Sequence, residues 1–538
     1  MNSGFRLRKS LYDENFQDFE NYMIKKGFTK TASISSEIQL DKKLIKIMLV
    51  KDRLSGGTLR DCSHFHLFPY FIFRPKEIDE LQAIVDGACK FRIPLTLASG
   101  KTGLSGAFAN FGILVDMEVF KYLDEDIFLD LENEEVTVNQ NVLISDLIVE
   151  IPLMTQERYI FPIQPSSAFK LPVRVGGLIG TNASGVTSGK LGATKEWLSE
   201  ITCLKPDGSI SKVIPSHPLF DQIVGGNGYY GIVLCAKFRL HPTEQNLAYK
   251  ILIGKNNNLI FQALQIIQDK QILPLVSEFI FARNEFPTGF KEKILTYAQN
   301  TNQDSHLKLN SLELSWAILI KGKQAILKRF QTILQEHCGE HMLSLELDEL
   351  SFADLLAERT SMALLSLQTA QETDYIMFPG FEDVLAPPKD IPKILNDVSA
   401  LLHDSQFQSV QIGYGHLNFR QGRGALLHLR LPLPVHALYV ENRALLRMAS
   451  KAISEVILYL KNQYGILPKA EHTLGPLRFV LEQGFAETYQ EALTKNEVFF
   501  NPHYFIVQEL KKKQDFPINS IEFLGDVLYF YFTSGESM

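Results

Sequence analysis

Cysteine is scarce in this chain. Only Cys62, Cys89, Cys203, Cys235 and Cys338 occur among 538 residues, and no two form a CxxC pair. That spacing excludes a disulfide framework and a cysteine-ligated iron–sulfur module, and it fits a reducing compartment. Long hydrophobic runs are missing too. None approaches the roughly 18 residues that a membrane span requires. The opening MNSGFRLRKS carries charge with no apolar segment after it, so we expect no signal peptide. A basic stripe with interleaved aromatics is absent and the net charge is −7, which argues against nucleic acid as a partner. Neither a Walker A pattern nor GxGxxG in the dinucleotide position is found. Hydrophobic content of 45% and charged content of 21% are those of a soluble globular protein. We expect a cytoplasmic location, with peripheral contact at the inner membrane left open. The length suggests two or three domains.

Glycine, by contrast, is concentrated. Val175 to Gly192 reads VGGLIGTNASGVTSGKLG, with Gly176, Gly177, Gly180, Gly185, Gly189 and Gly192 inside it. Glycine loses the most backbone entropy on folding, so such a cluster needs a cause. One cause is close approach of bare backbone N–H groups to a large flat or anionic ligand. A flexible linker is the alternative, but linkers lack the interspersed Val175, Leu178, Ile179, Val186 and Leu191.

Two further small-residue clusters flank this one, at 99–106 and 225–231. A helix is expected over 11–28 and another after Pro75, with Ile78, Leu81, Val85 and Ala88 on one face. Strands are expected at Leu95–Ala98, Gly112–Asp116, Val136–Val138 and Ile201–Leu204, a helix from Ser145, and a hairpin turn at Pro206-Asp207-Gly208. This order describes an α/β unit with a ligand at strand ends, each glycine loop bounded by strands. Glycines thin out after about residue 245, and long amphipathic helices such as Lys323–Cys338 and Ile391–His403 alternate with apolar strands. That suggests an α+β second domain. The expected division is a helical segment at 1–64, a ligand-binding domain at 65–245, a substrate or cap domain at 246–460, and a C-terminal segment at 461–538.

Besides the three glycine loops, two sets of residues could carry chemistry. His416, His428, Glu471 and His472 are a competent divalent-metal or acid–base set. Read as bare residues they stay ambiguous, because a histidine in an apolar strand such as Leu426–Leu429 is more often a core residue. Arg359 ends an apolar run and could clamp a carboxylate, or simply sit on a helix surface.

Taken together, the three loops and the histidine set resemble the vanillyl-alcohol-oxidase (PCMH-type) flavoproteins, in the branch of FAD-linked D-lactate, glycolate and D-2-hydroxyglutarate dehydrogenases. The resemblance runs from about Pro69 to Pro502. Ala98-Ser-Gly-Lys-Thr-Gly-Leu-Ser-Gly-Ala107 is similar to RGGGTGLSGG, with Ser99 and Lys101 where the family has glycine. Val175–Gly185 with Lys190-Leu-Gly192 is similar to the family's IGGnIATNAGG and the basic residue, Tyr and Gly after it. Gly225–Val233 is similar to GSEGTLGII, with Asn227 in place of Glu. Tyr414-Gly-His416 and Gly424–Arg430 resemble YGHxxxGxLHxR split by an insertion from Asn418 to Arg423. Lys469–Gly475 resembles sgEHGdG, with Thr473 replacing a glycine. Phe500-Asn-Pro502 resembles the family's terminal asparagine–proline region.

The resemblance implies an α+β protein: a PCMH-type FAD-binding domain of two subdomains, with an α+β substrate (cap) domain built on an antiparallel sheet. It implies FAD contacts from Ser99, Gly100, Lys101, Thr102, Gly103, Leu104, Ser105, Gly106, Gly176, Gly177, Thr181, Asn182, Ser184, Gly185, Gly192, Gly228, Gly231, Ile232 and Asn501. No His or Cys stands at the family's flavin-attachment position in the loop, so the FAD is expected to be non-covalent. His416, His428 and Glu471 would bind Zn2+ or another divalent metal, Arg359 would hold the substrate carboxylate, and His472 would be the base. The implied reaction oxidises a D-2-hydroxy acid to the 2-oxo acid by hydride transfer to flavin N5. Electrons would leave to a separate acceptor such as a quinone or electron-transfer protein, and a homodimer is left open. An alkylglycerone-phosphate-synthase-like enzyme and a drifted flavin-binding protein with a binding or regulatory role remain as alternatives.

Overall fold

The computed structural model of the chain describes residues 13–28, 69–103, 106–255, 257–282, 288–301, 314–372, 375–404, 412–417, 425–434, 443–467, 474–513 and 516–532. Three short strands come first: β1 (Phe71–Phe73), β2 (Leu95–Ala98) and β3 (Ile113–Asp116). They form a parallel sheet in the order β1-β3-β2. The helix Ile78–Lys90 runs between β1 and β2, the kind of crossover that parallel strands need. It buries Leu81, Ile84, Val85 and Ala88 and leaves Ile78 half-buried, close to the expected face. Gly87 on this helix admits the helix Asp13–Lys25, because a Cβ at that point would stand 2.8 Å from the Phe19 ring.

Next come β4 (Ile127–Asp130), β5 (Glu135–Asn139), β6 (Tyr159–Ile160), β7 (Leu198–Leu204), β8 (Ile210–Val213), β9 (Ile232–Arg239) and β10 (His241–Pro242). Five of them make an antiparallel sheet in the order β4-β5-β9-β7-β8, and β6 pairs with β10. The expected strand at Val136–Val138 is therefore real but belongs to this second sheet, paired with β4 and β9. The turn at 206–208 joins β7 to β8, and Gly208 adopts the left-handed φ of +79° that it demands.

The stretch at 175–192 differs from the expected strand-bounded loop. It contains a helix at Val175–Thr181, a left-handed turn at Asn182, and a short helix at Ser188–Leu191. Val175, Leu178 and Ile179 have helical spacing and all three are buried. Burial of that stripe outweighs the low helix propensity of its glycines.

The rest of the chain is built on one seven-stranded antiparallel sheet. Its strands are β11 (Leu247–Gly254), β12 (Val276–Ala282), β13 (Trp316–Lys323), β14 (Met342–Leu347), β15 (Tyr375–Ala386), β16 (Ile412–Leu417) and β17 (Ala425–Pro434), in the order β14-β11-β13-β12-β16-β17-β15. Helices Asn257–Asp269, Gln324–Cys338 and Ile391–Asp404 share a core with Leu252, Phe279, Phe281 and Ile318 on one face. Helices Thr288–Thr301 and Glu349–Glu372 share a core with Ile251, Val276, Ile280 and Leu319 on the other. Val186 and Leu191 of the glycine stretch join that second core, so this face of the sheet is turned toward the glycine motif. The two amphipathic helices expected in this half are found at nearly their expected bounds. The chain ends in helices Arg443–Tyr464, Leu474–Leu481, Phe485–Thr494, Pro502–Lys513 and Ile521–Phe532, which gives an α+β protein. Among the described residues no helix is long and apolar enough to cross a membrane.

Candidate functional site

A cleft opens where the three glycine-rich segments meet. Ala98–Gly103, Gly176–Thr181 and Asn227–Val233 all contribute to its wall, joined by Gln140, Pro165, Ser167 and Arg174. The glycines divide into two kinds. A Cβ on Gly100 would lie 1.9 Å from Pro172 O, on Gly185 1.9 Å from Gln164 O, and on Gly226 1.8 Å from Gln222 O. These positions let the backbone pack against itself. Gly180 would meet nothing within 4 Å, and Gly177 only Ser99 at 3.9 Å. Those two leave space in the cleft for a ligand to reach bare backbone.

The polar side chains of the cleft point to the same use. Ser99 Oγ and both Asn227 side-chain polar atoms are buried and lack a hydrogen-bond partner among the described residues. An unmet polar group in the interior costs about 1–3 kcal/mol, so a ligand with donors and acceptors is the natural complement. FAD, with its hydroxyls, phosphates and ring amides, fits this lining. Lys101 also lines the cleft, but its Nζ lies 3.2 Å from the fully buried Asp116 carboxylate, which Arg74 Nε also contacts at 3.1 Å. Its charge is thus largely answered within the protein. Lys101 has a φ of +55°, a left-handed conformation that explains why a glycine suits this position.

A second set of groups lies on the sheet face that meets the glycine motif. A Cβ on Gly189 would stand 2.4 Å from Leu417 O and 2.7 Å from Ser277 Oγ. The chain neighbours of these two residues are His416 and Glu278, which face each other across β12 and β16. Glu278 Oε1 is hydrogen-bonded to His416 Nδ1, and Glu278 Oε2 lies 2.7 Å from Arg359 Nη2. All three side chains are buried. Arg359 therefore comes from the middle of the long helix as a buried ion-pair partner, not as a surface arginine. Glu278 was not foreseen from sequence. The signal was present: in Val276-Ser-Glu-Phe-Ile-Phe-Ala282 one carboxylate interrupts an alternating apolar strand, and such a charge needs a buried partner.

The expected FAD residues fare unevenly. Ser99, Gly100, Lys101, Thr102, Gly103, Gly176, Gly177, Thr181, Gly228, Gly231 and Ile232 line the cleft. Gly106, Asn182, Ser184, Gly185, Gly192 and Asn501 do not. Asn182 instead caps its helix in a left-handed conformation and accepts a hydrogen bond from Lys195 N. Asn501 accepts one from His503 N. Leu104 and Ser105 lie outside the described residues, as do Glu471, His472 and Thr473. The backbone of His428 is described in β17, opposite Tyr414, two residues from the Leu426 that pairs with His416. Of the expected metal ligands only His416 has a described side chain. Among the described residues no three His, Cys, Asp or Glu groups could hold a metal ion.

Comparison with known proteins agrees with the cleft. Residues 69–213 match the family model described as an FAD binding domain. The glycolate oxidase subunit GlcD of Bacillus subtilis is 23% identical over 358 residues, spanning 62% of this chain and 69% of that protein. A D-2-hydroxyglutarate dehydrogenase of Stutzerimonas stutzeri is 25% identical over 270 residues, spanning 47% of this chain and 56% of that protein. Among solved structures, p-cresol methylhydroxylase with bound substrate superposes with a TM-score of 0.59 at 12% identity, covering 84% of this chain and 92% of that one. Residues 69–213, which carry the first two of the three glycine segments, thus match an FAD binding domain, and the chain as a whole shares the fold of p-cresol methylhydroxylase.

Proposed function

We propose that the protein is an FAD-linked dehydrogenase that oxidises a small D-2-hydroxy acid to its 2-oxo acid. The observation that carries this reading is the buried Arg359–Glu278–His416 set on the sheet face whose core takes in Val186 and Leu191 of the second glycine motif. Relatives named for glycolate and D-2-hydroxyglutarate support the substrate class. Ser99, Thr102 and Asn227, with the open backbone at Gly177 and Gly180, would hold the cofactor. Bound FAD supplies a two-electron acceptor.

The chain's own groups would do the rest. Arg359 binds the substrate carboxylate, since a guanidinium offers several N–H donors in a fixed fork and Glu278 orients that fork from one side. Glu278 also fixes the ring of His416 through Nδ1. His472 removes the hydroxyl proton, a task for which neutral imidazole is suited near pH 7. Electrons then leave to a separate acceptor, a quinone or an electron-transfer protein.

Anaerobic mixing of the flavin-loaded protein with D-lactate, glycolate, D-2-hydroxyglutarate and longer 2-hydroxy acids tests the proposal. Bleaching of the flavin by one of the acids is expected, with the L enantiomer of any chiral substrate inactive. His472→Ala should slow that bleaching by about 10²- to 10⁴-fold. A flavin that dithionite reduces but no 2-hydroxy acid bleaches would overturn the reading.

A further inference from the structure

The C-terminal helix is tied to the first FAD loop through a single imidazole. His503 follows Asn501-Pro502 and is fully buried. Its Nε2 lies 3.1 Å from Ala107 O, and its Nδ1 lies 2.8 Å from the Tyr531 hydroxyl. A carbonyl can only accept, so Nε2 carries the proton and donates to Ala107 O. In a neutral ring Nδ1 must then accept, and Tyr531 is the donor. Burial enforces both states: it pushes the His503 pKa down to about 4, partly offset by the bond to Ala107, and it pushes the Tyr531 phenol well up. Ala107 lines the cleft.

The same segment is fastened at two other points near the cleft. Leu95 N, at the start of β2, donates to Phe500 O at 2.9 Å. Phe499 N donates to Tyr229 O at 3.0 Å, in the third glycine segment. Tyr531 sits near the end of Ile521–Phe532, a helix anchored by the buried Phe523, Leu524, Val527 and Leu528. That helix packs against Arg443–Tyr464, where Gly525 faces Lys451.

We propose that His503 and Tyr531 are positioning residues of the FAD site: the helix Ile521–Phe532 holds the cleft wall at Ala107 in its cofactor-binding position through the chain Tyr531–His503–Ala107. The proposal rests on the FAD site and is independent of the substrate.

The test is FAD affinity of the full-length apoprotein, titrated by flavin fluorescence well below its melting temperature, with melting followed in parallel. Tyr531→Phe removes one hydroxyl and should weaken FAD binding by about 5- to 10-fold. His503→Leu should weaken it further, and His503→Gln, which keeps a donor and an acceptor, should recover most of the loss. If His503→Leu does not fold, Tyr531→Phe decides. Variants that melt earlier yet bind FAD with the parent affinity would overturn the proposal and leave a purely structural contact. A parent that binds no FAD would overturn it as well. A parent that binds FAD but is bleached by no 2-hydroxy acid removes only the proposed activity.

Discussion

The glycine cleft and the buried charged set on the large sheet solve opposite problems. The cleft leaves polar atoms at Ser99 and Asn227 buried without partners among the described residues, and keeps open backbone at Gly177 and Gly180. The set on the large sheet pairs its charges internally, with Glu278 bound to both Arg359 and His416. The cleft is built to be completed by a ligand. The buried set brings its opposite charges together within the protein and so holds an oriented arginine. A cofactor that stays bound can make up for unsatisfied groups, whereas a substrate that comes and goes needs groups already held in place.

The largest expected effect lies at the buried ion pair. Glu278→Ala leaves a buried guanidinium without its carboxylate, which typically costs about 3–5 kcal/mol. Replacing both partners, as Glu278→Leu with Arg359→Met, should recover most of that stability while abolishing substrate oxidation. Thermal and denaturant unfolding of the two variants measure it. Equal destabilisation by the single and double variants would mean that the pair is not what holds this region together.

Glycines sharpen the contrast around the cleft. Gly185→Ala drives a Cβ to 1.9 Å from Gln164 O and should cost about 1–3 kcal/mol or more through forced backbone movement. Gly180→Ala meets nothing within 4 Å and lies in a helix, where alanine is favoured by up to about 1 kcal/mol. The apoprotein should therefore be as stable or more stable, while FAD binding weakens because the methyl enters the cleft. Unfolding curves and FAD titrations of both variants give the answer. Loss of stability in Gly180→Ala would place it among the packing glycines.

The cleft was the more legible side. Three glycine clusters and their short flanking elements announce themselves in composition, and eleven expected contacts line the cleft. Two that do not line it share a cause. Asn182 and Gly185 belong to the motif because the backbone turns or packs there, and a motif does not distinguish residues that touch a ligand from residues that shape the chain. The helical form of 175–181 was hidden because three glycines mask a periodic stripe of three apolar residues. In the buried charged set His416 and Arg359 could be picked out, but not the residue that joins them. Glu278 lies 81 residues before Arg359 and 138 before His416, and only the register of β12 against β16 brings it there. His503 is a similar case, since its partners Ala107 and Tyr531 lie 396 residues before it and 28 after it.

The smallest expected effect is the most direct check on the cleft. In the apoprotein, Ser99 Oγ is a buried hydroxyl with no partner among the described residues, so removing it relieves a penalty rather than breaking a bond. Ser99→Ala should leave apoprotein stability within about 0.5 kcal/mol of the parent or raise it. With FAD present the sign reverses: the hydroxyl gains a partner, and its loss should weaken binding by about 5-fold, one ordinary hydrogen bond. Glu278→Ala has the opposite signature, with its loss fully expressed in the apoprotein and little further change in FAD affinity. Measuring apoprotein melting and FAD dissociation for both variants separates a group that waits for a ligand from one already satisfied by the fold. If Ser99→Ala melts well below the parent and binds FAD equally well, the hydroxyl is a structural group, and the cleft loses one of its two polar arguments for a bound cofactor.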